Sequence, residues 1–310
     1  MRRLLTFTTL LAAITLAPTL GADARAQVRV VATLADLGAL AAAVGGDRVQ
    51  VTTLARATED PHYVDPRPSH LLPLSRADLV IFNGLELEIG WLPPLLVNAR
   101  NASIQPGGLG YLDASTLVTE KLNVPAGRID RAQGDIHPGG NPHFTHDPRR
   151  AAEIALGIAA RLAVLDEAHA ATYRANGERV AAELRAFARE ARARFDALPP
   201  DRRQVVVYHD SWVYLVDWLG LEQVATIEER PGIRPSPGHV SRVLSLMRQS
   251  GARVILQERF YPRRTSETLA RLAGAHLLLL PGGAAELGGE GYLAHVRANA
   301  DALLQALSNG

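Results

Sequence analysis

Short β-branched runs alternate with longer helical patterns twice along this chain, and no other feature limits its fold as tightly. Val28–Ala32, 49–54 and Leu79–Phe82 read as strands, with 110–112 as a short fourth. Between them, 34–44 is an Ala/Leu helix stopped by Gly45 and Gly46. A second helix falls near 71–76, and 86–97 reads as helical with a break at Pro93 and Pro94. A fresh series follows Pro199 and Pro200. Its strands are 205–208, 224–227, 254–256 and 277–280, and its helices are 212–219, 239–249, 265–273 and 292–307. Strands separated by helices make βαβ units, which require a parallel sheet covered on both faces.

Two helical patterns separate the series. Pro148–Leu165 begins after Asp147, a good N-cap. Over 167–198, Tyr173, Val180, Leu184, Phe187, Ala191, Phe195 and Leu198 recur at steps of three, four or seven, giving one apolar face. At 1.5 Å per residue that helix would extend roughly 45–50 Å, longer than a small domain is wide, and reads as a rigid strut. The expected fold is therefore α/β. Two lobes, each a four-stranded parallel sheet flanked by helices, are joined by one long rigid helix, with a cleft between them. The expected division is 1–26 as a secretory signal, 27–146 as the N-terminal lobe, 147–200 as linking helices and 201–310 as the C-terminal lobe.

The signal is read from Arg2 and Arg3, the apolar run 4–20 and the small-residue pattern Ala24-Arg25-Ala26. Cysteine is absent, so neither disulfides nor a lipid on an N-terminal cysteine is expected. The net charge of +1, with no basic cluster, points to no nucleic-acid or membrane-surface partner.

Open α/β sheets bind ligands at loops beyond the carboxyl ends of their strands. Three histidines occupy such loops: His62 after the second strand, His143 at the end of the long irregular segment 115–142, and His209 directly after 205–208. Imidazole suits zinc, and sites with three histidines are well attested. Ligands so far apart cannot be inferred from spacing, however, and position alone leaves the triple site one reading among several.

Motifs narrow the choice. EDPHYVDPRPSHLLPLSRADLVIFNGLELEIGW at 59–91, GNPHFTHDP at 140–148 and VVVYHDSWVYLVDWLGL at 205–221 stand in order, followed by YLAHVRANADALLQAL at 292–307. Together they resemble the solute-binding proteins of zinc/manganese ABC importers, over essentially the whole chain after the signal. The resemblance implies a non-enzymatic periplasmic protein, a monomer, that captures a divalent transition metal and delivers it to an ABC permease in the inner membrane. Carried over, His62, His143 and His209 fall on metal-ligand positions. Manganese-preferring members tend to have Glu at the third, so His209 favours Zn2+ over Mn2+ as the transported ion. Imidazole suits zinc better as well.

The fourth ligand departs from the family pattern, because Leu280 stands where a carboxylate is usual. Glu228, at the end of 224–227, is the preferred substitute. Glu258, Glu286 and water are the alternatives. His137 reads as an exposed loop histidine, and His146 and His295 receive no role. Asp210 or Ser211, beside His209, reads as an N-cap of the next helix rather than as part of a hydrolase triad. Two rival functions stand beside importer delivery: a secreted zinc-dependent hydrolase, and a periplasmic zinc chaperone or buffer without an importer.

Overall fold

A computed structural model of the chain describes residues 27–126, 136–230, 232–285, 287 and 291–309. The expected signal segment and Glu286 lie outside the described residues. The first sheet contains β1 (Val28–Ala32), β2 (Val49–Thr53), β3 (Leu79–Phe82) and β4 (Tyr111–Asp113), all parallel in the order β2-β1-β3-β4. Helices α1 (Ala35–Gly45), α2 (Pro68–Arg76) and α3 (Leu92–Ala99) accompany it. The linking helices are α4 (Pro148–Leu165) and α5 (Ala170–Asp196). The second sheet repeats the pattern with β5 (Gln204–Val207), β6 (Glu222–Thr226), β7 (Val254–Glu258) and β8 (His276–Leu280), in the order β6-β5-β7-β8. Its helices are α6 (Val213–Leu219), α7 (Pro237–Ser250), α8 (Arg264–Ala273) and α9 (Gly291–Asn309).

The central strands β3 and β7 are buried along their whole length, as Leu-Val-Ile-Phe and Val-Ile-Leu-Gln-Glu require of strands covered on both faces. In each sheet the chain leaves the first strand for one edge and returns to pair on its other side. Loops on the carboxyl side of β1 and β3, and of β5 and β7, therefore diverge and open a crevice.

One hydrophobic core joins the two sheets. Val30 and Leu79 from the first and Val207 and Leu256 from the second share it with Ile158 of α4, Leu184 and Phe187 of α5, and Leu303 of α9. The outer face of each sheet has its own smaller cluster, around Val80 and Leu92 in one and Val206 and Leu269 in the other. A shared core means that the lobes cannot part without exposing apolar surface, so the linking helices act as a wedge packed into both. Gly177 permits the close approach of α4 and α5, since a Cβ there would lie 2.5 Å from the Ala159 Cβ.

Two helical expectations need correction. The long helix has 27 residues, about 40 Å rather than 45–50 Å. Glu167–His169 forms a separate 3-10 turn before it, and Ala197 ends it ahead of Pro199. The second is 86–97, which is helical only from Leu92. The Glu88 carboxylate accepts from Asn83 N at 2.6 Å, Gly84 N at 3.1 Å and Thr33 Oγ1 at 2.6 Å. Those bonds turn the chain back onto the end of β3, with Leu85 and Glu86 at φ of 53° and 64°. Gly84 is required in this turn, at φ 84° and hard against Asp113.

Candidate metal centre

His62, His143 and His209 meet in the crevice. Each offers a ligand-type atom within 4.8 Å of the other two, and all three are buried. Their ring centroids stand 5.1 to 5.4 Å apart. His62 follows β2, His143 precedes α4, and His209 follows β5, so the group spans the two lobes.

Local chemistry aims each ring. Asp60 Oδ1 accepts from the His62 backbone N–H at 3.0 Å and from its Nδ1 at 2.8 Å. Asn141 Oδ1 does the same for His143, at 2.9 and 3.0 Å. Both are Asx turns in the sequence Asx-Pro-His, in which one side-chain oxygen holds the main chain and the imidazole together. His209 Nδ1 donates to Glu228 Oε2 at 2.6 Å. With each Nδ1 proton given to an acceptor, Nε2 carries the lone pair, which fixes the tautomer a metal needs. Glu228 itself thus lies behind His209 and outside the group of converging ligand atoms.

Further bonds tie these turns to the scaffold. Trp91 Nε1 donates to Pro61 O at 2.9 Å, and Asn83 Nδ2 to Pro142 O at 2.8 Å. Asn141 also joins the lobes: its Nδ2 donates to Asp210 O at 2.7 Å, and its carbonyl accepts from Tyr214 Oη at 2.9 Å. A cleft of about 560 Å³ opens over His62 and His209, walled by Tyr63, Arg234 and Tyr261.

Electrostatics follow from burial and these partners. Burial, then repulsion from His62 and His209, pushes His143 well below the usual imidazole range. Burial alone would lower His209, but the Glu228 hydrogen bond and charge, with Glu258 and Asp60, outweigh it and raise the ring. Glu258 is pushed up to about 7, chiefly by burial. It is 1% exposed and accepts from Ser211 Oγ. Leu280 is buried at the end of β8 and brings no donor atom.

Two expectations are overturned. His137 is not an exposed loop residue. It is buried, donates Nδ1–H to Leu85 O at 2.7 Å and sets its ring, tilted, 5.5 Å from that of His62. The left-handed turn at Leu85 presents that carbonyl, and the bond from Asn141 N to Leu122 O closes the loop back over it. Neither Asp210 nor Ser211 caps α6. Asp210 Oδ1 accepts from Gln223 and Thr226 instead, and Ser211 Oγ turns to Glu258.

The profile of zinc-uptake complex component A, periplasmic, ZnuA, matches residues 30–306. The chain belongs to that family. Its members are substrate-binding proteins of metal ABC transporters, extracellular or periplasmic and non-enzymatic, which sets the hydrolase reading aside. Among curated relatives, the iron ABC transporter substrate-binding lipoprotein MtsA of Streptococcus pyogenes serotype M1 is 22% identical over 91% of this chain and 89% of its own length. The iron-binding protein YfeA of Yersinia pestis is 23% identical over 87% and 81%. Solved structures share the fold. ZnuA superposes with a TM-score of 0.75 at 24% identity, covering 90% of this chain and 99% of ZnuA. FpvC of Pseudomonas aeruginosa, in complex with Mn2+, has a TM-score of 0.73 at 24% identity over 91% and 99%. No described helix is long and apolar enough to cross a membrane.

Proposed function

We propose that this protein is a periplasmic zinc carrier that holds its cargo through the Nε2 atoms of His62, His143 and His209 and passes it to an inner-membrane ABC permease. The observation that supports this most is the commitment of all three Nδ1 atoms to Asp60, Asn141 and Glu228, while the three rings converge. Three nitrogen donors favour zinc over manganese, which prefers oxygen. Ligands at about 2.0–2.1 Å from a tetrahedral zinc lie about 3.4 Å apart, so capture asks only a small contraction of the group. In this reading Glu228 orients His209 and adds negative charge, and the fourth position is filled by water from the cleft. The open fourth position faces the 560 Å³ cleft, through which the ion enters and leaves. The mature chain acts as a monomer after removal of residues 1–26.

Growth under zinc chelation tests the proposal. A strain lacking the protein should fail unless zinc is added. The wild-type gene should restore growth, and His143→Ala should not. Full rescue by a variant lacking all three histidines would refute the site. A deletion strain with normal zinc uptake would instead support a buffer without an importer.

A further inference from the structure

A second set of ligand-type side chains closes on itself behind the cleft. Asp36 in the first turn of α1, His146 in the turn before α4, and His295 on α9 each offer one such atom within 4.8 Å of the others. They are 2%, 5% and 8% exposed. None belongs to the histidine group described above; Asp36 and His146 come from the two ends of the first lobe and His295 from the C-terminal helix.

The surroundings hold them in place. Ala284 N donates to Asp36 Oδ1 at 2.6 Å, and the His146 ring stacks on Trp212 with centroids 4.6 Å apart. His295 Nε2 and Asn299 Nδ2 are 3.4 Å apart. Tyr292 Oη donates to Thr145 O at 2.6 Å and pins α9 against the His146 turn. Among the described residues, no hydrogen bond or ion pair joins Asp36 to either imidazole. The Asp36 carboxylate thus lies within 4.8 Å of both imidazoles without an ion-pair contact to either. A small open recess of about 40 Å³ reaches Asp36 and His146 from the side of His143, without touching His295.

Burying a carboxylate without an ion-pair contact is costly. Burial pushes the Asp36 carboxyl up, only partly offset by the charge of His295. A divalent ion would supply the missing positive charge.

We propose that Asp36, His146 and His295 form a second site for a zinc-type divalent transition ion, which ties α1 of the first lobe to α9 of the second. Two imidazoles and one carboxylate are a good donor set for such an ion. His146 shares a short turn with His143, its backbone N–H donating to His143 O at 3.2 Å. An ion at the rear site would stiffen the turn that presents His143 to the cleft, and would limit how far the lobes move as cargo enters and leaves.

Zinc stoichiometry of the full chain tests this, by elemental analysis after gel filtration and by anomalous scattering at the zinc edge. Wild type should hold about two ions, with one anomalous peak between Asp36 and His295. Asp36→Asn and His295→Gln should each hold about one and keep the peak among His62, His143 and His209. The variant His62→Ala/His143→Ala/His209→Ala should keep the rear ion, read independently through the visible ligand-field bands of bound Co2+. Saturation of wild type at one ion, with no density beside Asp36, would overturn the proposal. So would a folded triple variant that binds neither zinc nor cobalt. Should Asp36→Asn fail to fold, wild-type density and the triple variant still decide.

Discussion

Glu228 is the residue whose part in zinc binding is most sharply exposed to test. Its Oε2 accepts a 2.6 Å bond from His209 Nδ1, with both side chains under 8% exposed. A buried hydrogen bond to a charged group contributes about 1.5–3 kcal/mol, and loss of a partner behind a metal ligand costs about 10- to 100-fold in affinity. Glu228→Gln retains an acceptor for Nδ1–H and removes only the charge, so the cleft site should weaken about tenfold. Glu228→Ala leaves Nδ1–H buried without its acceptor and should weaken it about 100-fold. Competition with a chromophoric zinc chelator, in the Asp36→Asn background to isolate the cleft, reads both values. Wild-type affinity in both variants would refute the orienting role. A loss of about 1,000-fold or more in Glu228→Gln would also refute it, because that is the behaviour of a direct ligand.

Three further outcomes follow from the geometry. Asn141→Ala removes the bonds to His143 and to Asp210 O. It should lower zinc affinity about tenfold or more and stability by about 2–3 kcal/mol, measured by chelator competition and urea unfolding. Gly177→Val would force a side chain against Ala159 and should destabilise the α4–α5 packing by about 1–3 kcal/mol in the same urea assay. Burial pushes Glu88 from its ordinary 4.5 to about 7 despite its three hydrogen bonds. The folded state then keeps a proton the unfolded chain has lost. Stability from this group is full below pH 4.5 and is lost as pH rises through 7, by about 3 kcal/mol in all. Glu88→Gln abolishes that dependence, so its stability relative to wild type should improve between pH 5 and pH 8 in thermal unfolding.

The βα alternation carried most of the fold because each buried strand is a compact apolar run and each helix a periodic one. It failed at 86–91, where a single buried carboxylate, Glu88, gathers three donors and overrides helical periodicity. Such a tertiary bond leaves no local pattern. The convergence of His62, His143 and His209 was legible from strand ends and ordered motifs. Their supporting partners were less so, although one signal was present: Asp60-Pro61-His62 and Asn141-Pro142-His143 are two copies of Asx-Pro-His, and both fold into the same turn. His137 was misread because an irregular segment gives no sign of being folded back under a left-handed turn at Leu85. Asp36, His146 and His295, the outer two 259 positions apart in sequence, meet only because α1, α4 and α9 share one core.

The most direct measurement of the central claim is anomalous scattering from crystals of the protein given zinc in the presence of excess manganese. Data on both sides of the zinc edge should show zinc within bonding distance of Nε2 of His62, His143 and His209, with Glu228 still on His209 Nδ1. Manganese at that position, or zinc that leaves any one of the three rings uncoordinated, would contradict the account.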